Sequence, residues 1–298
     1  MASTELELWG LDLVAGHAAE LGSRIRLHTG DLLTDLGALK EFFVQARPDF
    51  VFHLAAQALV PAAWSDPWST LENNIRGQLN VLLAAVHLGT LPRVLVIGSS
   101  EEYGIVPTEA LPIRETYPLR PSNPYAVSKV GQDMLGYQYF ASHDLPVVRV
   151  RPFNHIGPRQ SPAFVAAAFA KQIAEVEAGI REPKVVVGNL DARRDLSDVR
   201  DIVRGYYLAA SQGEPGDVYN LGAERSYPIR DLLERLIALS SVRPGIEFDP
   251  QRVRPSDMPD VVADCTKLRS RTGWRAEIPL QRSLQDTLDY WRKRVRQT

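Results

Sequence analysis

Cysteine is nearly absent: Cys265 stands alone among 298 residues. That excludes an intrachain disulfide framework and fits a reducing compartment. Lysine is scarce too, six of 34 basic residues, so arginine clusters are partly compositional and become anion sites only where local context supports it. No apolar run reaches the roughly 18 residues a membrane-spanning helix needs. The opening Met1-Ala2-Ser3-Thr4-Glu5 has neither the basic start nor the apolar stretch of a secretory signal. A cytoplasmic protein is expected. The net charge of −2 gives no global attraction to nucleic acid or to an anionic membrane. The six histidines contain no H-x-x-x-H or H-x-x-E-H spacing, so no metal site is expected. Also missing is any G-x-G-x-x-G or G-x-x-G-x-x-G turn; the nearest approach, Gly10 to Gly16, carries Leu13 between.

What is there is an alternation. Short β-branched runs (24–29, 50–54, 93–98 and 147–150) alternate with helical patterns (34–46, 70–88 and 123–142). Strands that alternate with helices predict a parallel, doubly wound α/β sheet. Thr34 is the expected cap of the first helix, and Pro124 suits the first turn of the third. After residue 152 prolines and loops thicken. The pattern there predicts helices near 162–178, 198–211, 229–239 and 280–295, with strands at 184–187 and 218–221. This divides the chain into 1–152, a dinucleotide-binding domain, and 153–298, mainly a smaller substrate-binding α/β region interleaved with the first. The start is unusual. Such a fold opens with a strand, a glycine-rich turn and a helix whose N-terminus holds the cofactor pyrophosphate. Residues 5–13 instead alternate with period two and look like a second strand, ending in Asp12, where an acidic residue would hold the adenosine ribose. The first strand and glycine loop are expected to be missing.

Tyr125 and Lys129 are four residues apart, so on a helix they share a face. Free Tyr has a pKa near 10; a neighbouring ammonium favours the phenolate and is expected to lower it. Ten tyrosines and six lysines yield about 0.2 such pairs by chance, so the pair alone is equally a solvated helix face. Its setting changes the balance. The apolar run 93–97 leads straight into Gly98-Ser99-Ser100-Glu101-Glu102-Tyr103-Gly104, and ligands bind at the carboxyl ends of such strands. Ser99 there can hydrogen-bond a substrate oxygen beside the Tyr125 phenol. Cys265 has no histidine partner in sequence and reads as inert. Trp64, Trp68 and Trp291 read as packing residues.

Gly30-Asp31-Leu32, His53-Leu54-Ala55-Ala56-Gln57, Asn74-Ile75-Arg76-Gly77, the Ser99–Gly104 turn, Tyr125 to Lys129 and Arg151-Pro152-Phe153-Asn154 together resemble the extended short-chain dehydrogenases/reductases that modify nucleotide sugars, whose fold is Rossmann-like. Arg151 to His155, Gly188 to Asp195 and Arg254-Pro255-Ser256-Asp257 look like the GDP-mannose branch of that family, which holds 4,6-dehydratases and GDP-4-keto-6-deoxy-D-mannose reductases. Residues 161–165 and the Trp274 to Trp291 tail look more like the reductases. Ala167 and Ala168 stand where dehydratases keep a basic pair, whereas Glu101 stands where they keep the carboxylate that removes the C5 proton.

The resemblance implies that Asp31 and Leu32 contact the adenine of NADP or NAD. Asp12 leans towards NAD. Leu54, Ala55, Ala56 and the neighbourhood of Asn74 line the cofactor cleft. Ser99 and Tyr125 meet the C4 oxygen, Lys129 holds the nicotinamide ribose, and Glu101 is the fourth catalytic residue. Ser100, Asn154, Arg194, Arg254 and Asp257 face the GDP-linked deoxysugar; a diphosphate suits the planar guanidinium donors of Arg194 and Arg254. A homodimer is implied. Three functions follow as expectations: an NAD(P)H-dependent reductase giving GDP-D-rhamnose; a 4,6-dehydratase; and, because of the absent glycine loop, a truncated non-catalytic relic.

Overall fold

The computed structural model describes residues 6–14, 21–253 and 258–297. Strand β1 (Trp9–Asp12) pairs in parallel with β2 (Arg26–Thr29), forming a two-stranded sheet of its own. Helix α1 (Leu36–Ala46) follows; its cap is Asp35, whose carboxylate accepts the Ala38 N–H at 2.8 Å, in place of the expected Thr34. Next come β3 (Phe50–His53), the short helices α2 (Val60–Ser65) and α3 (Pro67–Leu71), and α4 (Gly77–His87). A π-turn at Glu72–Arg76 interrupts the single helix expected over 70–88. Pro67 starts α3 without cost because the first helical N–H lacks a partner anyway. Then follow β4 (Arg93–Ile97), the twenty-residue α5 (Pro124–His143) and β5 (Val147–Pro152).

The remainder comprises β6 (Asn154–Ile156), α6 (Val165–Glu177), β7 (Lys184–Val187), β8 (Arg193–Asp198), α7 (Val199–Gln212), β9 (Val218–Leu221), β10 (Ser226–Pro228), α8 (Ile229–Ala238), β11 (Gly245–Phe248), α9 (Thr266–Thr272) and α10 (Leu280–Val295). The main sheet runs β3-β4-β5-β9, all parallel. Its last strand comes from the C-terminal half of the chain, so that half helps to build the sheet that carries Ser99. The other strands form two small sheets, β10-β8-β6 and β11-β7.

Strand alternation divides the core. Val94 and Val96 of β4 point into one cluster with Val81, Leu82 and Ala85 of α4 and Tyr139 of α5. Leu95, between them, points to the opposite face with Ile202, Tyr206 and Ala209 of α7 and Trp274. A third cluster joins α6, α8 and α10 over β7 and β8. Because helices cover both faces, β4 and β5 need no polar alternation. Trp64 and Trp68 do not pack as expected; they are 47% and 71% exposed, whereas Trp291 packs against the third cluster.

Candidate active site

Strand β4 ends in a tight turn. The Gly98 N–H donates to Val150 O on β5 at 2.7 Å, and a Cβ at Gly98 would lie 2.2 Å from the Glu102 carboxylate, so a side chain has no room there. Ser99 caps the following turn: its Oγ accepts the Glu101 N–H (3.2 Å), while its own N–H donates to Glu102 Oε1 (2.7 Å). This reciprocal capping box satisfies donors that the chain turn would otherwise strand. Gly104 closes the turn at φ +65°, against Arg120 O, a conformation and an approach that exclude a side chain.

Helix α5 starts opposite. Asn123 caps it through Oδ1, which accepts the Ala126 N–H at 2.8 Å, and its Nδ2 donates to Glu101 Oε2 at 3.0 Å. One side chain thus starts the Tyr125 helix and holds Glu101. Ser128 Oγ donates to Tyr125 O, and Asn74 Nδ2 donates to Ser128 Oγ at 2.8 Å. Asn74 is buried and also exchanges two hydrogen bonds with the Gln57 backbone. Its side chain is occupied in joining the loop after β3 to α5.

Ser99 lies close enough to the Tyr125 phenol to favour its ionised form. Its acidity runs against expectation. Burial, reinforced by Glu101 and Glu102, pushes the phenol well above its usual pKa, with only Ser99 opposing. Lys129 does not lower it. The ammonium sits 5.8 Å from the ring centre and donates to Ile97 O at 3.0 Å. Lys129 itself is buried, which pushes it down to about 8 against the opposing pull of Glu102. Burial costs the charged form of each group, so the phenol keeps its proton and the ammonium loses its proton easily.

On the cofactor side, Leu54 and Ala55 are exposed and Ala56 half-buried, just beyond the carboxyl end of β3. His53 ends that strand. It is buried, its Nε2 has no partner among the described residues, and burial followed by Lys129 pushes it down to about 3. The sequence reading assigned His53 no role of its own; its signal was the first place in His53-Leu54-Ala55-Ala56, at a strand end. Asp12 and Asp31 lie at the ends of β1 and β2, where each caps its own turn by accepting the Val14 and Leu33 N–H groups. The Leu32 carbonyl is held by Asn80 at 2.7 Å. A buried neutral imidazole, the Lys129 ammonium and small residues at a strand end fit the nicotinamide half of a dinucleotide. No glycine-rich turn for the pyrophosphate occurs among the described residues.

On the substrate side, Ser100 is buried and Asn154 is exposed at the start of β6. His155 beside it is pushed down by burial and lies against Phe153 O. Arg194 on β8 donates to Met258 O at 2.7 Å, next to residues 254–257; Arg254 and Asp257 lie outside the described residues.

The sequence pattern of the GDP-mannose 4,6 dehydratase family matches residues 2–287. GDP-6-deoxy-D-mannose reductase of Pseudomonas aeruginosa is 40% identical over 250 residues, covering 84% of this chain and 82% of the relative. GDP-mannose 4,6 dehydratase 1 of Arabidopsis thaliana is 27% identical over 271 residues, covering 89% and 73%. In structure the chain is similar to Pseudomonas aeruginosa RMD, solved with NADPH (TM-score 0.87, 35% identity, 97% and 100% covered). It is also similar to the Thermotoga maritima UDP-glucose 4-epimerase solved with UDP-glucose (TM-score 0.88, 26% identity, 97% and 92% covered). The chain is thus a nucleotide-sugar enzyme of the short-chain dehydrogenase/reductase type and belongs to the GDP-mannose 4,6-dehydratase family.

Proposed function

We propose that the protein reduces the C4 carbonyl of GDP-4-keto-6-deoxy-D-mannose to GDP-D-rhamnose with NADPH or NADH. The observation that carries this reading is the Tyr125 phenol on α5 set beside the Ser99 turn at the end of β4, where burial disfavours the phenolate. A keto reduction needs a proton donor at the nascent alkoxide, whereas a sequence that begins by oxidising an alcohol needs the phenolate. The reduced cofactor would supply the hydride. Leu54, Ala55, Ala56 and Lys129 would hold its nicotinamide end, and Asp12, Asp31 and Leu32 its adenosine end. Tyr125 donates its proton to the C4 oxygen, and Ser99 donates a hydrogen bond to the same oxygen. Asn154, Arg194, Arg254, Ser100 and Asp257 face the GDP-sugar. The likeness to the Pseudomonas aeruginosa reductase, at 40% identity, supports this substrate.

Glu101 favours a second reading. A carboxylate beside Ser99, steadied by Asn123, is placed to take a proton from carbon, as a 4,6-dehydratase requires. Two incubations separate the readings. GDP-4-keto-6-deoxy-D-mannose with NADPH should lose absorbance at 340 nm if the protein is a reductase. GDP-mannose should yield the keto-sugar without net cofactor loss if it is a dehydratase. A folded, cofactor-bound sample that leaves NADPH unconsumed with the keto-sugar overturns the first.

A homodimer suits the surface of this half. Val127, Met134 and Tyr137 are exposed along α5, and Trp68 is exposed on α3, which packs against α5. Sedimentation should give twice the chain mass.

A further inference from the structure

Ser99 and Tyr125 come from different elements, yet both must meet one oxygen. Behind them a run of buried polar groups links the two. Glu102 is fully buried. Its Oε1 accepts the Ser99 N–H at 2.7 Å and its Oε2 accepts Arg151 Nε at 3.0 Å. The same Nε donates to Asp133 Oδ2 at 2.8 Å, and Asp133 sits on α5, two turns beyond Tyr125. The other Asp133 oxygen holds Arg149 of β5. Arg151 Nη1 also donates to Tyr103 OH at 3.2 Å, and Tyr103 OH donates to Asn220 of β9 at 2.7 Å. Every group in the run is buried, so a lost contact leaves a polar or charged group without its partner in a poorly polarisable interior.

We propose that Glu102 is a positioning residue which, through the Ser99 amide on one side and Arg151 and Asp133 on the other, locks the Ser99 hydroxyl to the Tyr125 helix in one rigid frame. A neutral apolar side chain would fill the space under Gly98 equally well. An apolar side chain there would accept from neither the Ser99 N–H nor Arg151 Nε, which the two Glu102 oxygens join. The proposal rests on the reductase reading for its kinetic effect and extends it to a residue that touches neither substrate nor cofactor.

Glu102→Gln keeps size and an oxygen for the Ser99 amide but turns an N–H towards Arg151. Asp133→Asn likewise keeps size and one oxygen but turns an N–H towards Arg151 or Arg149 in the middle of α5. In the full chain with GDP-4-keto-6-deoxy-D-mannose and NADPH, each should lower kcat by about 10- to 100-fold, the scale of a small misplacement of reacting groups. KM for both substrates should stay within about threefold. Their effects should be strongly non-additive, because they break one chain of contacts. Folded variants with wild-type kcat, or with the loss in KM alone, overturn the proposal. If both variants fail to fold, the wild type decides. Amide exchange of the peptide 98–103 should place the Ser99 N–H among the slowest in the protein, like β4. A freely exchanging Ser99 amide overturns the frame. A wild-type chain that leaves NADPH unconsumed overturns the reductase reading, and the Ser99 amide alone then judges the frame.

Discussion

Strands β3 and β4 are neighbours in one sheet and bear opposite loads. Val94, Leu95 and Val96 of β4 are at most 1% exposed, paired on both edges and covered on both faces. Phe50 and Phe52 of β3 are 41% and 39% exposed, and β3 is an edge strand, with β1 and β2 forming a separate pair. The proton-transfer half, from β4 to α5, is therefore held by buried hydrogen bonds and ion pairs. The turns after β1 and β2, proposed to meet the adenosine, are held by short local hydrogen bonds at Asp12 and Asp31. The contrast teaches that rigidity follows pairing: a strand with neighbours on both sides fixes the groups at its end, whereas an edge strand or a separate pair leaves them to local turns.

The sharpest test of the rigid half is Tyr125→Phe. Removing the proton donor should lower keto-sugar reduction by about 10²–10⁴-fold while thermal unfolding stays near wild type, as measured by NADPH consumption and calorimetry. Retained activity would break the assignment. Packing comes next. Leu95→Ala should cost about 3 kcal/mol in denaturant unfolding, the usual price of a buried leucine, whereas Phe52→Ala should cost about 1 kcal/mol or less because much of the ring already meets water. Equal costs would erase the contrast between the strands.

Lys129→Met should abolish most activity and yet raise thermal stability, because it removes a buried ammonium. The sign of the pH effect follows from the lowered pKa. In the unfolded chain Lys129 titrates near 10.5, in the fold near 8. The penalty is constant below about pH 8 and fades as pH rises towards the unfolded value. The variant's advantage in Tm should be largest at neutral pH and shrink above pH 8. In the same range wild-type activity should fall as the ammonium is lost. The facing groups are the His53 imidazole, the Tyr125 phenol and the Glu102 carboxyl. A small effect also belongs to Asn123→Ala, which removes a helix cap and should cost about 1 kcal/mol. It should also loosen Glu101; a change in stability beyond that of a cap would show that Asn123 does more than its two hydrogen bonds indicate.

Much of this was legible in the residues. The run from Arg93 to Ser99 and the Tyr125–Lys129 spacing needed only periodicity and strand-end chemistry to be placed correctly, and β7, β9 and α10 lie where their patterns predict. Other features were not legible. The strands β6, β8 and β10 pair with partners far along the chain. The π-turn at Glu72–Arg76 sits inside an unbroken helical pattern; there Asn74 meets the Gln57 backbone and Ser128. The acidity of Tyr125 was read with the wrong sign, because spacing reveals a nearby cation but not how much water burial removes.

The amino-acid sequence by itself determined the alternating α/β layout, the Ser99, Tyr125 and Lys129 centre and the family motifs, since each depends on local periodicity or on groups a few residues apart. Only the tertiary structure decided which charges lose their water, and so why burial pushes the phenol up and the ammonium down and why Glu102 ties a strand end to a helix. Those properties belong to the dielectric and partners that distant segments bring together, and no local pattern carries them.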